Sequence, residues 1–453
     1  VTIDKSSHGL EAGRYITLSS VSVTGDSTLT AGILEKAYEV LTVPTVDKFT
    51  ITASTAETGT GMTAAGSVVV NPYYIVGPTS QTVGYGWGTY LWGDSTWGTE
   101  RTTSSVTLDP GTWSLDNYGQ VLVATISDGR TFTWNAGASN PRTIRASQST
   151  TDFVTTSNPT VSFMTKVSDR DRHLFHLGTE TTIGDASTQD KMFIRFSNQE
   201  NLNEYTPTAI NTAGTFRLDA GSEIRAAVAG KDYTLILTDT AAYVAQYVGP
   251  PYTFSIRQVG TNCGCMGMHA AVSANGAVYW MGDAGGFYRF DGTVKSIDCL
   301  VEDFVFDTQG TDLGINYSAN KLIYAGHNSL YTEVSWFYPK FGSDQIDRCV
   351  TYNYGENVWT TSSLDRTSWT DANVFDKPYA TDYVSTGTPV FPDILGITNT
   401  YGASFYYSQE TGTDQVNSAA TTSIDAYIRS GDYDITSKKS MMGTPTGVVD
   451  FRG

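Results

Sequence analysis

Cys263 and Cys265 stand one residue apart with His269 close behind, a thiolate and imidazole set of the kind that holds a transition metal. A structural zinc site needs a second ligand pair. Cys299 and Cys349, the other two of the four cysteines, are too scattered to supply it. Buried or free thiols are therefore expected. His173 and His176 in DRHLFHLG lie three apart, and on a strand that spacing puts the imidazoles on opposite faces, a poor start for a metal site. GDAGG (282–286) offers an Asp among glycines to Ca²⁺, but the twelve-residue EF-hand pattern is missing and a solvated turn is expected. His8 in SSHGLEAG reads as a turn histidine hydrogen-bonding locally.

Glycoside hydrolysis would need two carboxylates held a few ångströms apart. Asp239, Asp283, Asp291, Asp303 and Glu410 are available, but almost all sit in turn positions, where Asp caps its own backbone. Sialidase propellers repeat a Ser-x-Asp-x-Gly-x-x-Trp turn, whereas SDGRTFTW (127–134) is a single, out-of-register match. The chain has no Gly-x-Ser-x-Gly elbow, no His-Glu-x-x-His and no phosphate loop. GYGWG (84–88) does not precede a helix, so it is no dinucleotide fingerprint. No catalytic, cofactor-binding or metal-binding residue is assigned, and no enzymatic activity is expected.

The elements that would have to position any such group are hairpins. Between Lys191 and Gly292 one design repeats: a short apolar strand, a turn carrying Asp, Asn or Gly, then a strand with alternating aromatics. TLIL is turned by Thr238-Asp239-Thr240 into AYVAQY, and AAVS by Asn275-Gly276 into AVYWM. Asn-Gly between two apolar runs is the strongest short-range hairpin signal, because both turn positions need positive φ. Similar units occur at 113–135, 162–178, 224–247, 270–290, 320–338, 347–364 and 391–408. Many short strands with regular turns predict an all-β fold, a β-propeller of about six or seven blades at roughly 40 to 50 residues each. A closed ring also removes the exposed strand edges that a long row of hairpins would leave.

Composition agrees. Charged residues are only 16% of the 453, while Gly numbers 44 and Tyr 27, the usage of strands and tight turns. The net charge of −18 argues against a basic nucleic-acid groove and against adhesion to an anionic membrane. It leaves open a surface that DNA slides past. No run of eighteen apolar residues predicts a membrane-spanning helix, and the chain opens on Val1 with no signal-peptide pattern, as a processed or trimmed product would.

Three regions are expected. Residues 1–75 read as a small β module, with strands in VTI, YITLSSVSV, YEVLTV, KFTITAS and SVVV. Within it, ILEKAYEVL (33–41) also fits one helical face and is read as a turn leading into a strand. Residues 76–100 form a connector in which GWG, LWG and TWG recur every five residues, carrying Tyr85, Trp87, Trp92 and Trp97. Its rings are expected to pack on a neighbouring sheet or subunit; stacking on sugars or bases is the sharper alternative. Residues 101–453 form the propeller.

The ordered set YGWGTYLWGDSTWG, WSLDNYGQVLVA, IRFSNQEN, YTPTAINTAGTFRL, LTDTAAYVAQYVGPPYTF, GTNCGCMG, YWMGDAGGFYRFDG, VEDFVF, EVSWFYP, YNYGENVW and LDRTSW resembles a family of tailed-bacteriophage structural proteins, the nozzle of short-tailed phages, over about residues 76–430. The N-terminal module more weakly resembles the small β-barrel insertions of phage tail proteins. The resemblance implies a propeller subunit of a hexameric tail ring below the portal and adaptor. It implies contacts with the adaptor, with tail fibres or spikes and with needle or plug proteins. Double-stranded DNA would pass through the ring without sequence-specific binding, and the chain itself would not enter a membrane. Location in the virion, after assembly in the host cytoplasm, follows from the same likeness, as does the absence of catalytic residues to carry over. The chain ends at TPTGVVDFRG, where the family is expected to continue into a further strand. A receptor- or glycan-binding propeller, with GWGTYLWGDSTWG as its platform, is the alternative reading.

Overall fold

The computed structural model describes residues 1–53, 63–64, 69–73, 80–82, 105–107, 111–137, 157–307, 314–382, 406–412, 414–417 and 420–423, apart from residues 7, 9, 11, 13, 14, 20, 25–28 and 169. The Trp-rich connector with Tyr85, Trp87, Trp92 and Trp97 lies outside these, as do most of the unit at 391–408 and the chain end after residue 423.

Among the described residues from 113 to 408, six antiparallel sheets of three or four strands follow one another, each built from strands adjacent in sequence. The first comprises Trp113–Tyr118, Val121–Ile126 and Thr131–Asn135. The second has Met164–Ser168, His173–Leu177, Phe193–Phe196 and Gly214–Arg217. Ile224–Gly230, Tyr233–Thr238, Ala241–Gly249 and Thr253–Thr261 make the third. Ala271–Ala274, Ala277–Met281, Phe287–Phe290 and Val294–Ile297 make the fourth. The fifth holds Tyr324–Asn328, Glu333–Tyr338, Arg348–Asn353 and Val358–Ser362, and the sixth Ser368–Thr370, Tyr379–Thr381 and Tyr406–Ser408.

The opening strand of each sheet packs against the opening strand of the next, all the way from the first sheet to the sixth. Between the fourth and fifth sheets this contact includes a parallel bridge, His269 to Tyr324, closed by a 2.7 Å bond from Ala325 N to His269 O. Meandering sheets whose first strands meet in succession around a common centre are the blades of a β-propeller. The units at 320–338 and 347–364, separate in the sequence reading, are two halves of one blade, because Glu333–Tyr338 pairs with Arg348–Asn353 along its whole length.

The strand sequences follow from this layering. A second strand lies between its own neighbours and between two adjacent sheets, so both faces are covered and it reads as an unbroken apolar run: AVYWM is buried at every residue, and YTLILT at all but its first. Outermost strands meet solvent and carry polar residues, as in Gly214–Arg217 and Val358–Ser362. The Asn275-Gly276 turn has φ of 48° and 77°, the left-handed pair that the dipeptide predicts, and it joins Ala274 to Ala277 in register.

The cores accordingly sit between sheets. The largest runs through the third, fourth and fifth, around Trp280, Trp336 and Phe287, none of them exposed at all. Phe287 lies 4.8 Å from Trp336 and 4.6 Å from Trp359 between ring centres. A second core joins the second and third sheets through Phe175, Ile194 and Ile236.

The first and second sheets share a small apolar core of Tyr118, Val123, Val167 and Leu174, and hydroxyls join them as well. Thr125 Oγ1 lies 2.8 Å from both Thr131 Oγ1 and Thr165 Oγ1, and Thr165 N donates to Ser114 Oγ at 3.0 Å.

The N-terminal residues form three small sheets around their own core of Ile16, Leu18, Leu34, Val40, Phe49 and Ile51. ILEKAYEVL begins in a single helical turn, Ala31–Leu34, and passes into the strand Ala37–Glu39. YEVLTV divides between two sheets, since Ala37–Glu39 pairs with Tyr15–Ser19 and Thr42–Thr45 with Lys48–Thr50. His8 is the expected local turn histidine: its Nδ1 accepts from Leu10 N at 3.0 Å.

Candidate functional site

A cavity of about 420 Å³ opens where the first strands of the fourth, fifth and sixth sheets converge. His269, Val272 and Ser273 come from the first of these, Tyr324, Gly326 and His327 from the second, and Trp369, Asp371 and Asn373 from the third. Alternation along Tyr324–Asn328 is broken by Gly326, and the reason is local: a β-carbon there would lie 2.6 Å from Trp369 Cγ. Trp369 Nε1 donates to His327 O at 2.8 Å, which fixes the indole between the fifth and sixth sheets.

His327 is held from both ends. Its Nδ1 lies 3.1 Å from Asp371 Oδ2, and its Nε2 lies 3.1 Å from the Tyr354 hydroxyl. Burial pulls its pKa down against the upward pull of Asp371, so the imidazole is neutral, with its proton on Nδ1 facing the carboxylate and Nε2 accepting from Tyr354. Burial, with a smaller contribution from Asp371, pushes the Tyr354 phenol up. Asp371 is itself held in place. Its Oδ1 accepts from Ser329 N at 3.0 Å, Ser329 Oγ at 2.9 Å and Ala372 N at 2.7 Å.

An Asp, His and Tyr chain of this kind resembles a general-base relay, but Tyr354 stacks on Tyr279 and does not line the cavity. The relay therefore fixes the wall and presents no reacting atom to it.

His269 turns away from the cysteines. Its Nε2 lies 3.0 Å from Trp113 O, so it carries the proton, and burial lowers its pKa. Cys263 and Cys265 are free, buried thiols, pushed up by desolvation to about 11 and about 12. Among the described residues no three His, Cys, Asp or Glu side chains form a metal-holding group.

His173 and His176 have separate partners, as opposite faces of one strand require. His173 bonds Asp171 Oδ2 at 2.6 Å and Thr212 Oγ1 at 3.0 Å. His176 bonds Ser162 Oγ at 2.8 Å and Tyr205 OH at 3.2 Å. The Ser162 and His176 pair has the spacing of a nucleophile and its base, yet both are buried, and desolvation takes His176 down to about 3. It is a core network.

The turn carboxylates are likewise engaged. Asp239 accepts from Ser222 N and Oγ, Asp291 bonds Arg289 and Lys295, and Glu410 accepts from Asn328 Nδ2 at 3.0 Å. In SDGRTFTW, Asp128 bonds Lys191 and Gln189 of the second sheet. Asp283 in GDAGG is pushed up by burial, with Arg225 pulling the other way. His327 and Asp371 had no sequence signal, since neither lies in a motif and they come from different sheets.

No protein-family model and no curated protein sequence matches the chain. Solved structures do. Apo AztD from Citrobacter koseri aligns with a TM-score of 0.36 at 9% identity, over 62% of this chain and 67% of that one. Hydrazine synthase from Kuenenia stuttgartiensis gives 0.35 at 10% identity, over 58% and 66%. Kluyveromyces lactis Hsv2 gives 0.30 at 11% identity, over 56% and 63%, so the match spans less than two thirds of the last two chains. Likeness at this level carries no argument, and the fold rests on strand order and packing. No helix among the described residues is long and apolar enough to cross a membrane.

Proposed function

We propose that this chain is a structural subunit of a short-tailed bacteriophage tail, a nozzle-type ring component of the DNA-ejection conduit below portal and adaptor, and that it is not an enzyme. The observation that carries the reading is where the phage-like strings fall. WSLDNYGQVLVA forms the first hairpin of the first blade, LTDTAAYVAQYVGPPYTF spans three strands of the third, and EVSWFYP and YNYGENVW are central strands and outer turn of the fifth. These strings, among those that carry the resemblance, are blade strands and turns.

Charge supports the same role. About six copies at −18 each give a ring on the order of −100, and duplex DNA carries about one negative charge per 1.7 Å, so an acidic lumen lets it slide where a basic one would hold it. Ile210, Leu300, Val374 and Tyr252, between 81% and 97% exposed on loops between strands, are available for contacts with neighbouring subunits or tail proteins.

Electron microscopy of the purified chain with an adaptor protein tests the proposal. Six-fold rings with a channel of duplex width are expected. Monomers alone, with the adaptor present, would overturn it.

A further inference from the structure

The cavity at the meeting of the fourth, fifth and sixth sheets plays no part in a conduit, and its lining is specific enough to name a ligand class. At about 420 Å³ it is of a size that takes one small molecule. Among the described residues no Lys or Arg lines it and Asp371 does, so an anion is disfavoured. Asp371 is engaged by the wall, Oδ1 taking Ser329 N, Ser329 Oγ and Ala372 N and Oδ2 taking His327, so one Oδ2 lone pair remains, enough for a single hydroxyl and short of the several acceptors that an ammonium group needs. Two imidazoles, two serines and an amide among the lining residues make the cavity wrong for a wholly apolar guest.

What is left open is a set of neutral partners. The Ser273 hydroxyl and the Asn373 amide make no hydrogen bond among the described residues. His269 gives its Nε2 proton to Trp113 O, so Nδ1 is a bare acceptor. Donors and acceptors in this mixture, beside the rings of Tyr324 and Trp369, match vicinal hydroxyls on a molecule that also has an apolar C–H face. We propose that the cavity binds a single neutral sugar residue, with its C–H face against the aromatic wall and its hydroxyls on Ser273, Asn373 and His269. The lining residues all come from one chain, so occupancy needs no ring assembly.

The test is ligand-observed saturation-transfer NMR on the full chain with methyl glycosides of glucose, galactose, mannose, N-acetylglucosamine and rhamnose, run beside adenosine, choline and acetate. At least one glycoside is expected to receive saturable transfer. The double variant Ser273→Ala with Asn373→Ala is expected to weaken it roughly tenfold or more, as loss of two hydrogen bonds should, with an unchanged circular dichroism spectrum. Neither side chain makes a hydrogen bond within the described fold, so the variant keeps its structure. No transfer to any glycoside, undiminished binding in the variant, or preference for adenosine, choline or acetate would each overturn the proposal.

Discussion

Trp369 occupies the space into which any other residue at position 326 would put its β-carbon, 2.6 Å from the indole Cγ. The contact joins the fifth and sixth sheets. Gly326→Ala must displace the indole or the strand, and the expected cost is about 1–3 kcal/mol of overpacking. Urea unfolding followed by tryptophan fluorescence measures it, and an unchanged midpoint would show that Trp369 moves freely.

Trp336 is fully buried, lies 4.8 Å from Phe287, and donates its indole N–H to Ala270 O at 3.0 Å. Trp336→Ala is expected to cost about 3–5 kcal/mol through the cavity it leaves. Trp336→Phe keeps part of the packing and removes one of the two hydrogen bonds to the Ala270 carbonyl, which still accepts from Met281 N at 3.1 Å, and about 0.5–1.5 kcal/mol is expected for that bond. Equal losses in the two variants would mean that the hydrogen bond, not the volume, dominates.

The folded imidazole of His176 titrates near 3 because it is buried, against 6.5 when free. Between those values the unfolded chain binds the extra proton, so stability falls as pH drops below about 6.5, by up to about 1.4 kcal/mol per unit from this group. Denaturant midpoints at pH 7 and pH 5 should show the loss, and His176→Gln should flatten the slope whatever it does to absolute stability. An identical slope in wild type and variant would assign the acid sensitivity elsewhere.

Cys263, Cys265 and Cys349 are buried with thiols pushed up to about 11, about 12 and about 11. Thiolate is the reactive form, so an aromatic disulfide reagent at neutral pH should label these three only as the protein unfolds. Burial pushes the Cys299 thiol up to about 11 as well, but it is partly exposed and should react first. Rapid labelling of Cys265 in the native state would show that the fourth blade opens locally.

Hairpins were legible because their signals are local: Asn275-Gly276 demands positive φ wherever it occurs, and Thr238 folds its own turn by accepting from Ala241 N at 2.8 Å. Grouping hairpins into blades was less so. Nothing in DQIDRCVTYN states that it pairs with EVSWFY rather than opening a new sheet; the pairing depends on side chains that both strands share with the neighbouring blades. The cavity was illegible for the same reason, since His327 and Asp371 meet only when the fifth and sixth sheets pack. Polarity misled as well. Asp171 and His173 are polar in type, yet both are buried and bonded to each other at 2.6 Å.

Because the propeller cores lie between sheets rather than inside one, a blade emerging from the ribosome is unfinished when its own strands have paired. The third sheet can zip through local contacts, but the apolar face that will meet Trp280 stays open until the fourth has been translated. Burial therefore advances one blade behind synthesis. Released chains truncated after residue 261 should be more protease-sensitive across Ile224–Thr261 than chains truncated after residue 297, although those residues are present in both.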